Sequence, residues 1–511
     1  MLEKVYQDRL TKLEKVRALG VDPYGVRYDS NAAIAGILAG YREGEEGQNA
    51  DAAGRVVLYR SMGKLIFAHI RDQSGQMQVA FRKDAMDEKQ WELVKLLDLG
   101  DIIAARGTLL RTRTGEITIF ADQVTLLCKS LLPMPEKFHG LHDVETRYRQ
   151  RYLDLMSNPE TMAVFQKRIA ILDNFRRLLA ARGFVEVETP VLQPLYGGAA
   201  ARPFTTHHNT LDCELFLRIS PELYLKRLLV GGMERVYEFS RNFRNEGLST
   251  RHNPEFTLME LYQAYADYEV MMEITEELIA DSAQNISGGL QLPYGEMTID
   301  FSRPWPRRTY DELLQECAGV SMRDPAACRA KARQMGLTES NKDDAVVINE
   351  LFELTVEPAL AKQNRPVFVK DYPAAICPLT RRKSDDPSIA LRFELFVGGM
   401  ECANAYTELN DPAVQEENFL AQLQGEAEGE TMRVMDEDFV TALRHGMPPA
   451  GGLGIGIDRV VMLLTNRTSI RDVLLFPMLR PQQAQATEAP PEADGEDPTE
   501  PSPGPAGHPL P

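Results

Sequence analysis

Residues 234–262 read ERVYEFSRNFRNEGLSTRHNPEFTLMELY. Two alternating segments flank a short polar turn, residues 247–253, that carries Arg251 and His252. The pattern predicts a β-hairpin with a charged tip. Successive strand side chains point to opposite faces, so Phe256, Leu258, Glu260 and Tyr262 share one face, and Thr257, Met259 and Leu261 share the other. Before the turn, Arg244 and Glu246 also share a face. An aromatic ring, two acids, a phenol and several cations therefore converge on one sheet surface. A hydrophobic core has no use for that mixture, whereas a site for a nucleotide and a charged small molecule does.

A second hairpin is expected in residues 391–411, LRFELFVGGMECANAYTELND. With Gly398-Gly399 as a two-residue turn, Phe396 opposes Glu401 and Glu394 opposes Ala403. Glu394 and Glu401 are then diagonal neighbours on one face, placed to share a cation. Asn404, Tyr406 and Glu408 have the opposite parity to Glu401, so a bulge near Cys402-Ala403 is expected to bring them together. Residues 450–463, AGGLGIGIDRVVML, give a glycine-rich entry to an apolar helix. There Gly454 and Gly456 permit close backbone approach, and Arg459 in the first turns suits an anion. Glu222 follows Pro221 at a helix start in SPELYLKR, and YGGAAARPF is a small-residue loop containing Gly198.

Upstream, residues 54–127 break into five β-rich segments with one helical interruption at 84–97, the pattern of a small OB-type barrel. Phe67, Arg60 and Gln78 are placed to stack on and hydrogen-bond bases on such a barrel, with core packing as the alternative for Phe67. The domains expected are 1–53, an N-terminal helix and acidic loop; 54–130, the barrel; 131–160, a Pro-punctuated linker; 161–480, a larger α+β domain; and 481–511, a disordered acidic, proline-rich tail. The first helix either caps the next domain or presents a basic face to RNA. Residues 308–370 read as mixed helix and loop.

At 511 residues, 43% hydrophobic and 26% charged, the composition is that of a soluble globular protein. A net charge of -18 argues against generic polyanion binding, so any nucleic-acid contact needs a local basic surface. No apolar run approaches the roughly 20 residues that span a bilayer, and the charged start MLEKVYQDRL is not a signal peptide. Six scattered cysteines without a CxxC pair suit reduced thiols in a cytoplasmic protein.

The ordered series RYRQRYLDL, GFVEVETP, YGGAAARPF, SPELYLKR, FRNEGLSTRHNPEFTLMELYQAYADY, NAYTELNDP and GLGIGIDRVVML closely resembles the class II lysyl-tRNA synthetases of bacterial type across residues 1–480. The class I signatures HIGH and KMSKS are absent. The resemblance implies an N-terminal OB-fold anticodon-binding barrel. An α+β catalytic domain follows, an antiparallel sheet flanked by helices, in a homodimer with motif 1 at its interface. It implies lysine, ATP and lysine tRNA as substrates and Mg2+ as cofactor. Phe256 would stack on adenine and Glu246 accept from its amino group. Arg244 would bridge the α-phosphate and the lysine carboxylate, with Asn404 assisting, while Arg251, His252 and Arg459 hold the β- and γ-phosphates. Arg244 and Arg459 are the catalytic pair. Glu394 and Glu401 would bind magnesium. Gly198 and Glu222 would take the α-ammonium, and Glu260, Tyr262 and Glu408 the ε-ammonium, with Tyr406 lining the same pocket. Arg60, Phe67 and Gln78 would read the anticodon.

A charge argument supports lysine. A buried ammonium requires opposite charge and acceptors, which two carboxylates and a phenol provide; an aspartate-handling relative needs a cation at that end. Met400, Cys402 and Ala403 depart from the family's usual residues beside the ligands without replacing any, and Cys377 stands where Ser is common. Two other functions are weighed. A lysyltransferase acting on a protein lacks the barrel, and a silent RNA-binding paralogue would have lost the ATP ligands that are present here.

Overall fold

The structure, a computed structural model, describes residues 2–482 apart from 30, 31, 46, 136–142, 200, 339–341 and 425–434. The chain divides into two units, residues 1–177 with 281–289, and residues 178–280 with those from 290 onward.

In the first unit, alternating small and branched residues close a five-stranded barrel: β1 (Asn49–Met62), β2 (Leu65–Arg71), β3 (Gln76–Arg82), β4 (Ile102–Arg111) and β5 (Ile117–Cys128), in the order β1-β2-β3-β5-β4. Ile66, Ala68 and Ile70 of β2, Val79 and Phe81 of β3, and Ile103 and Ala105 of β4 fill its interior. Helix α2 (Glu88–Lys95) adds Trp91, Leu93 and Val94 to that core, its first turn capped by the Asp87 side chain. Residues 49–53, read as loop, are strand: Ala50 and Ala52 point inward, and Asn49 pairs with Thr108. Helix α1 (Leu2–Ala18) buries Leu13 and Val16. Its Arg9 donates to the carbonyls of Leu99, Ser130 and Leu132. That helix caps the barrel, and the basic-face reading loses its buried arginine.

The second unit is built on an eight-stranded sheet. Its strands are β6 (Val185–Glu186), β7 (Arg235–Phe243), β8 (Glu255–Ala264), β9 (Arg307–Thr309), β10 (Val367–Pro373), β11 (Ile389–Val397), β12 (Met400–Thr407) and β13 (Ala450–Gly456). Their order is β9-β10-β11-β12-β13-β8-β7-β6. The six inner strands are antiparallel, and a short strand pairs parallel at each edge. Strand β10 lies in the region read as mixed helix and loop. Six of its seven residues are buried, so it shows no alternation to read. The glycine-rich segment 450–456 is itself a central strand, leading directly into helix α4 (Ile457–Leu464). Among the described residues no helix is long and apolar enough to cross a membrane. The tail expected to be disordered lies outside the described residues beyond Gln482.

Candidate active site

Register brings the functional strands together. One row across the sheet runs Glu260–Gly454–Asn404–Glu394, and the next runs Tyr262–Gly452–Tyr406–Arg392. The second hairpin turns at Gly398-Gly399, with Val397 opposite Met400 and Phe396 opposite Glu401. The pairing then slips, so that Leu395 faces Ala403 and Cys402 is the extra residue. This is the expected bulge, and it moves the partner of Glu394 from Ala403 to Asn404. Gly452, Gly454 and Gly456 alternate with buried Leu453 and Ile455. With no side chain on that face, strand β13 forms a trough between β8 and β12.

Over the trough lies a cavity of about 550 Å³. Gly198, Glu222, Arg244, Glu246, Arg251, His252, Phe256, Glu260, Tyr262, Glu401, Asn404, Tyr406 and Arg459 all line it, whereas Glu394 and Glu408 are not among the lining residues, Glu408 Oε1 lying beside Gly452 of the trough. The ladder of the first hairpin ends at Phe243 opposite Glu255. Arg244 N–H still bonds the Pro254 carbonyl, but Pro254 has no N–H to return and the next bond runs from Asn245 N–H to the Arg202 carbonyl, so Arg244 and Glu246 stand in the connecting segment and not on the strand face expected for them.

One end of the cavity is acidic. Helix α3 (Glu222–Val230) starts with Glu222, whose carboxylate accepts from the Tyr406 hydroxyl at 2.8 Å. Glu260 accepts from Ser220 at 3.0 Å and Tyr262 at 3.2 Å. Burial, reinforced by Glu222, pushes the Glu260 carboxyl up to about 8. Glu408 is fully buried, and its Oε1 has no hydrogen-bond partner among the described residues. Between these acids sits a residue the sequence reading passed over. Lys226, one helical turn after Glu222, places Nζ 2.7 Å from Glu222 and in contact with Glu408. Gly198 has φ +83, and a Cβ there would come within 3.0 Å of both Glu222 and Ser220, so only glycine closes the loop over this end.

The other end is basic. Arg244 lies 5.1 Å over the Phe256 ring, with its Nε buried and unpartnered among the described residues. His252 bridges Ser249 and Arg459, at 2.9 and 3.2 Å. Burial and the neighbouring Arg459 lower its imidazole. Arg251 donates to the Gly399 carbonyl, and Arg459 lies 3.6 Å from the Glu401 carboxylate.

Glu394 is the ligand whose surroundings differ most from expectation. Its carboxylate contacts Arg392 and accepts from Tyr372 at 2.8 Å, on the same sheet face as Glu401, which opposes Phe396 two residues along. Burial, opposed by Arg392 and reinforced by Glu401 and Glu357, raises its carboxyl. Arg392 also donates to Asn404 at 3.1 Å, and so fixes that amide. Position marked both missed cations. Lys226 stands at i+4 from Glu222, and Arg392 two residues before Glu394 on the same strand face.

On the barrel, Arg60 pairs with Phe67, and Phe67 with Ala80. Phe67 is half-buried on the face opposite Ile66 and Ala68, outside the core. Gln78 donates to Glu116 at 2.8 Å and accepts from Thr118, while His69 meets the other Glu116 oxygen at 2.7 Å. His69 and Glu116 add to the face on which the sequence reading placed Arg60, Phe67 and Gln78.

These strands, with their trough between acidic and basic ends, define a class II synthetase catalytic domain. The chain belongs to the family described as tRNA synthetases class II (D, K and N), which matches residues 143–480. An OB-fold nucleic acid binding domain matches residues 52–127. Within the family it is similar to the lysine–tRNA ligase of Carboxydothermus hydrogenoformans, 49% identical over 94% of this chain and 99% of the relative. It is also similar to that of Pelotomaculum thermopropionicum, 50% identical over 94% and 96%. The enzyme of Syntrophomonas wolfei is 49% identical over 94% and 97%.

Proposed function

We propose that the chain is a lysine–tRNA ligase, which activates L-lysine with ATP to lysyl-adenylate and transfers the lysyl group to the 3′ end of lysine tRNA. The observation that carries the substrate is the acidic end. Glu222 and Glu408 converge there on one internal cation, Glu260 stands close to both acids, and among the described residues the Glu408 Oε1 is left without a donor. An aspartate or asparagine side chain offers nothing to neutralise such an excess, so among the three amino acids of the family the pocket takes lysine. Glu222 and Gly198 receive the α-ammonium. Glu260, Tyr262 and Glu408 receive the ε-ammonium, and Tyr406 walls the stem between them.

Lysine's carboxylate is already ionised, so activation needs no general base. It needs in-line placement against the α-phosphorus and neutralisation of the charge that develops as pyrophosphate leaves. Arg244, whose buried Nε lacks a partner among the described residues, supplies the positive charge between the two reactants, with Asn404 on the carboxylate. Phe256 offers adenine the ring face that Arg244 does not cover, and Glu246 accepts from the base. Arg251, His252 and Arg459 hold the β- and γ-phosphates, with Arg244 and Arg459 as catalytic residues. Glu394 and Glu401, whose charges oppose one another, fit magnesium, which when bound neutralises phosphate charge.

Motif 1, the GFVEVETP segment at 183–190, supports a homodimer: Val185 within it and Val191 and Leu192 just after it are exposed on the single chain. We place the enzyme in the cytoplasm, where its tRNA is charged. Lysine-dependent exchange of pyrophosphate into ATP, followed by charging of lysine tRNA, tests the assignment. A purified protein that exchanges with none of the family's amino acids is a silent paralogue, and one that exchanges with lysine but charges no tRNA modifies another acceptor.

The barrel carries its own prediction. Arg60, Phe67 and Gln78 read the anticodon, with stacking on Phe67 contributing about 1–3 kcal/mol. Phe67→Ala should then lower kcat/KM for tRNA by about ten- to a hundredfold while exchange stays at the wild-type level. Equal loss of exchange would make Phe67 a structural residue.

A further inference from the structure

Lys226 is fully buried, yet no part of the activation chemistry calls for it. Its Nζ lies 2.7 Å from Glu222 Oε1, touches Glu408 Oε2, and stands 5.5 Å over the Tyr406 ring. Buried lysines keep their charge only when opposite charge compensates desolvation. Here Glu222 and Glu408 do more than compensate, raising the Lys226 amine above its ordinary value. The ammonium is a permanent part of the pocket.

The charge count then has a consequence for selection. The acidic end holds three carboxylates, Glu222, Glu260 and Glu408, and one resident ammonium. Arg244, at the far side of the cavity, is matched by the carboxylate of an incoming amino acid. Two negative charges remain, and they are offered at distinct places. Among the described residues the Glu408 Oε1 is unpartnered, and the Glu260 oxygens hold only the hydroxyls of Ser220 and Tyr262. We propose that Lys226 is a specificity-determining positioning residue, a built-in ammonium that fills one of three cation places and leaves room for the two ammoniums of a diamino acid. The proposal rests on lysine being the substrate.

Removing that ammonium leaves three carboxylates facing two substrate cations. One acid must then take up a proton. Glu408 is best placed to do so, because burial already raises its carboxyl and Lys226 is the main group opposing that rise. The titratable groups facing Glu408 are Lys226 and Glu222 from α3, Glu260 and Tyr262 from β8, and Tyr406 from β12. Among these only Lys226 is cationic. A protonated Glu408 no longer prefers an ammonium over a hydroxyl, so the variant loses discrimination as well as affinity.

The test measures pyrophosphate exchange by the full chain with lysine and with 2-amino-6-hydroxyhexanoic acid, from about pH 6.5 to 9, for wild type and Lys226→Met. In the variant KM for lysine should rise by about a hundredfold near neutrality, while KM for ATP changes by less than about threefold. The preference for lysine over the hydroxy analogue should narrow by at least about tenfold. Raising the pH should recover lysine affinity by up to about tenfold per unit as Glu408 ionises. The double variant Lys226→Met/Glu408→Gln restores the charge count and leaves no buried acid unmatched. It should melt above the single variant and lose that variant's added pH dependence. It also keeps the test open should the single variant fail to fold. Parallel loss of lysine and ATP affinity, with unchanged preference and no pH recovery, would overturn the proposal and leave Lys226 a packing residue. A double variant no more stable than the single would overturn it too. Absence of lysine-dependent exchange in the wild type would instead sink the assignment of substrate.

Discussion

Gly452→Ala should abolish lysine activation while leaving the fold and ATP binding in place. A Cβ at position 452 would lie 1.9 Å from Glu408 Oε1 and 2.6 Å from the Tyr262 ring. Neither neighbour can retreat. Tyr262 is buried in β8 and bonded to Glu260, and Glu408 is held by Lys226 and by its own N–H on the Ala450 carbonyl. The added methyl also fills the space beside the unpartnered oxygen that an ε-ammonium needs. Overpacking costs about 1–3 kcal/mol, and losing a buried charge-assisted contact costs about 2–5 kcal/mol. The first is read in the melt, and the second corresponds to a fall of about thirtyfold to several thousandfold in kcat/KM for lysine. Gly454→Ala is the control, because its Cβ meets nothing nearer than the Glu260 Cγ at 3.7 Å. It should stay within about tenfold of wild type. Exchange assays with varied lysine at saturating ATP, beside thermal melts, separate the two. A Gly452→Ala enzyme with ordinary lysine affinity would mean that the ε-ammonium binds elsewhere.

The trough shows what a sequence can and cannot yield. Period-two reading placed Phe256, Leu258, Glu260 and Tyr262 on one face, and the cavity lining has all four. Parity conflict between Glu401 and Asn404 implied a bulge, and the slip at Cys402 is that bulge. Such inferences succeed because strand geometry alone dictates them. The misses have physical causes of a different kind. Residues 49–53 look like loop because the side chains that face a narrow barrel must be small, and alanines give weak alternation. Strand β10 is covered on both faces, which removes the polar half of the pattern. Glu394 reads as one of two carboxylates sharing a cation with Glu401, and the pattern does not reveal that Arg392 on the same face and Tyr372 on the neighbouring strand also engage it. Sequence parity reports which residues share a face, not which of them neutralise each other. Lys226 was overlooked for the same reason: a lysine in a helix reads as surface until its i−4 neighbour is known to be buried.

Glu260→Gln should raise KM for lysine by about a hundredfold with little effect on KM for ATP, and should remove a proton from the binding equilibrium. The ordinary carboxyl value for this residue is 4.5, and burial with Glu222 moves it to about 8. Between those values the folded, lysine-free enzyme holds a proton that the unfolded chain has released. Ligand-free stability therefore falls as pH rises through the window, by up to about 1.4 kcal/mol per unit. Lysine reverses the preference. Its ε-ammonium, with an ordinary pKa near about 10.4, stays charged throughout and stabilises the ionised carboxylate. Below about pH 8 binding must expel the proton, so wild-type affinity should weaken by up to about tenfold per unit of acidification. Calorimetry in two buffers of different ionisation enthalpy reads the release directly. In the glutamine variant the share of that slope belonging to position 260 disappears, and what remains belongs to Glu408. The same substitution removes an acid that destabilises the empty pocket at alkaline pH. The ligand-free variant should therefore melt above wild type at about pH 8 and close to it at about pH 5. One of the two hydroxyls, Ser220 or Tyr262, keeps an acceptor in the amide oxygen and the other can turn to accept from the amide N–H, so the pocket does not collapse. A variant that loses lysine and ATP affinity equally, or releases as many protons as wild type, would place the ε-ammonium away from Glu260.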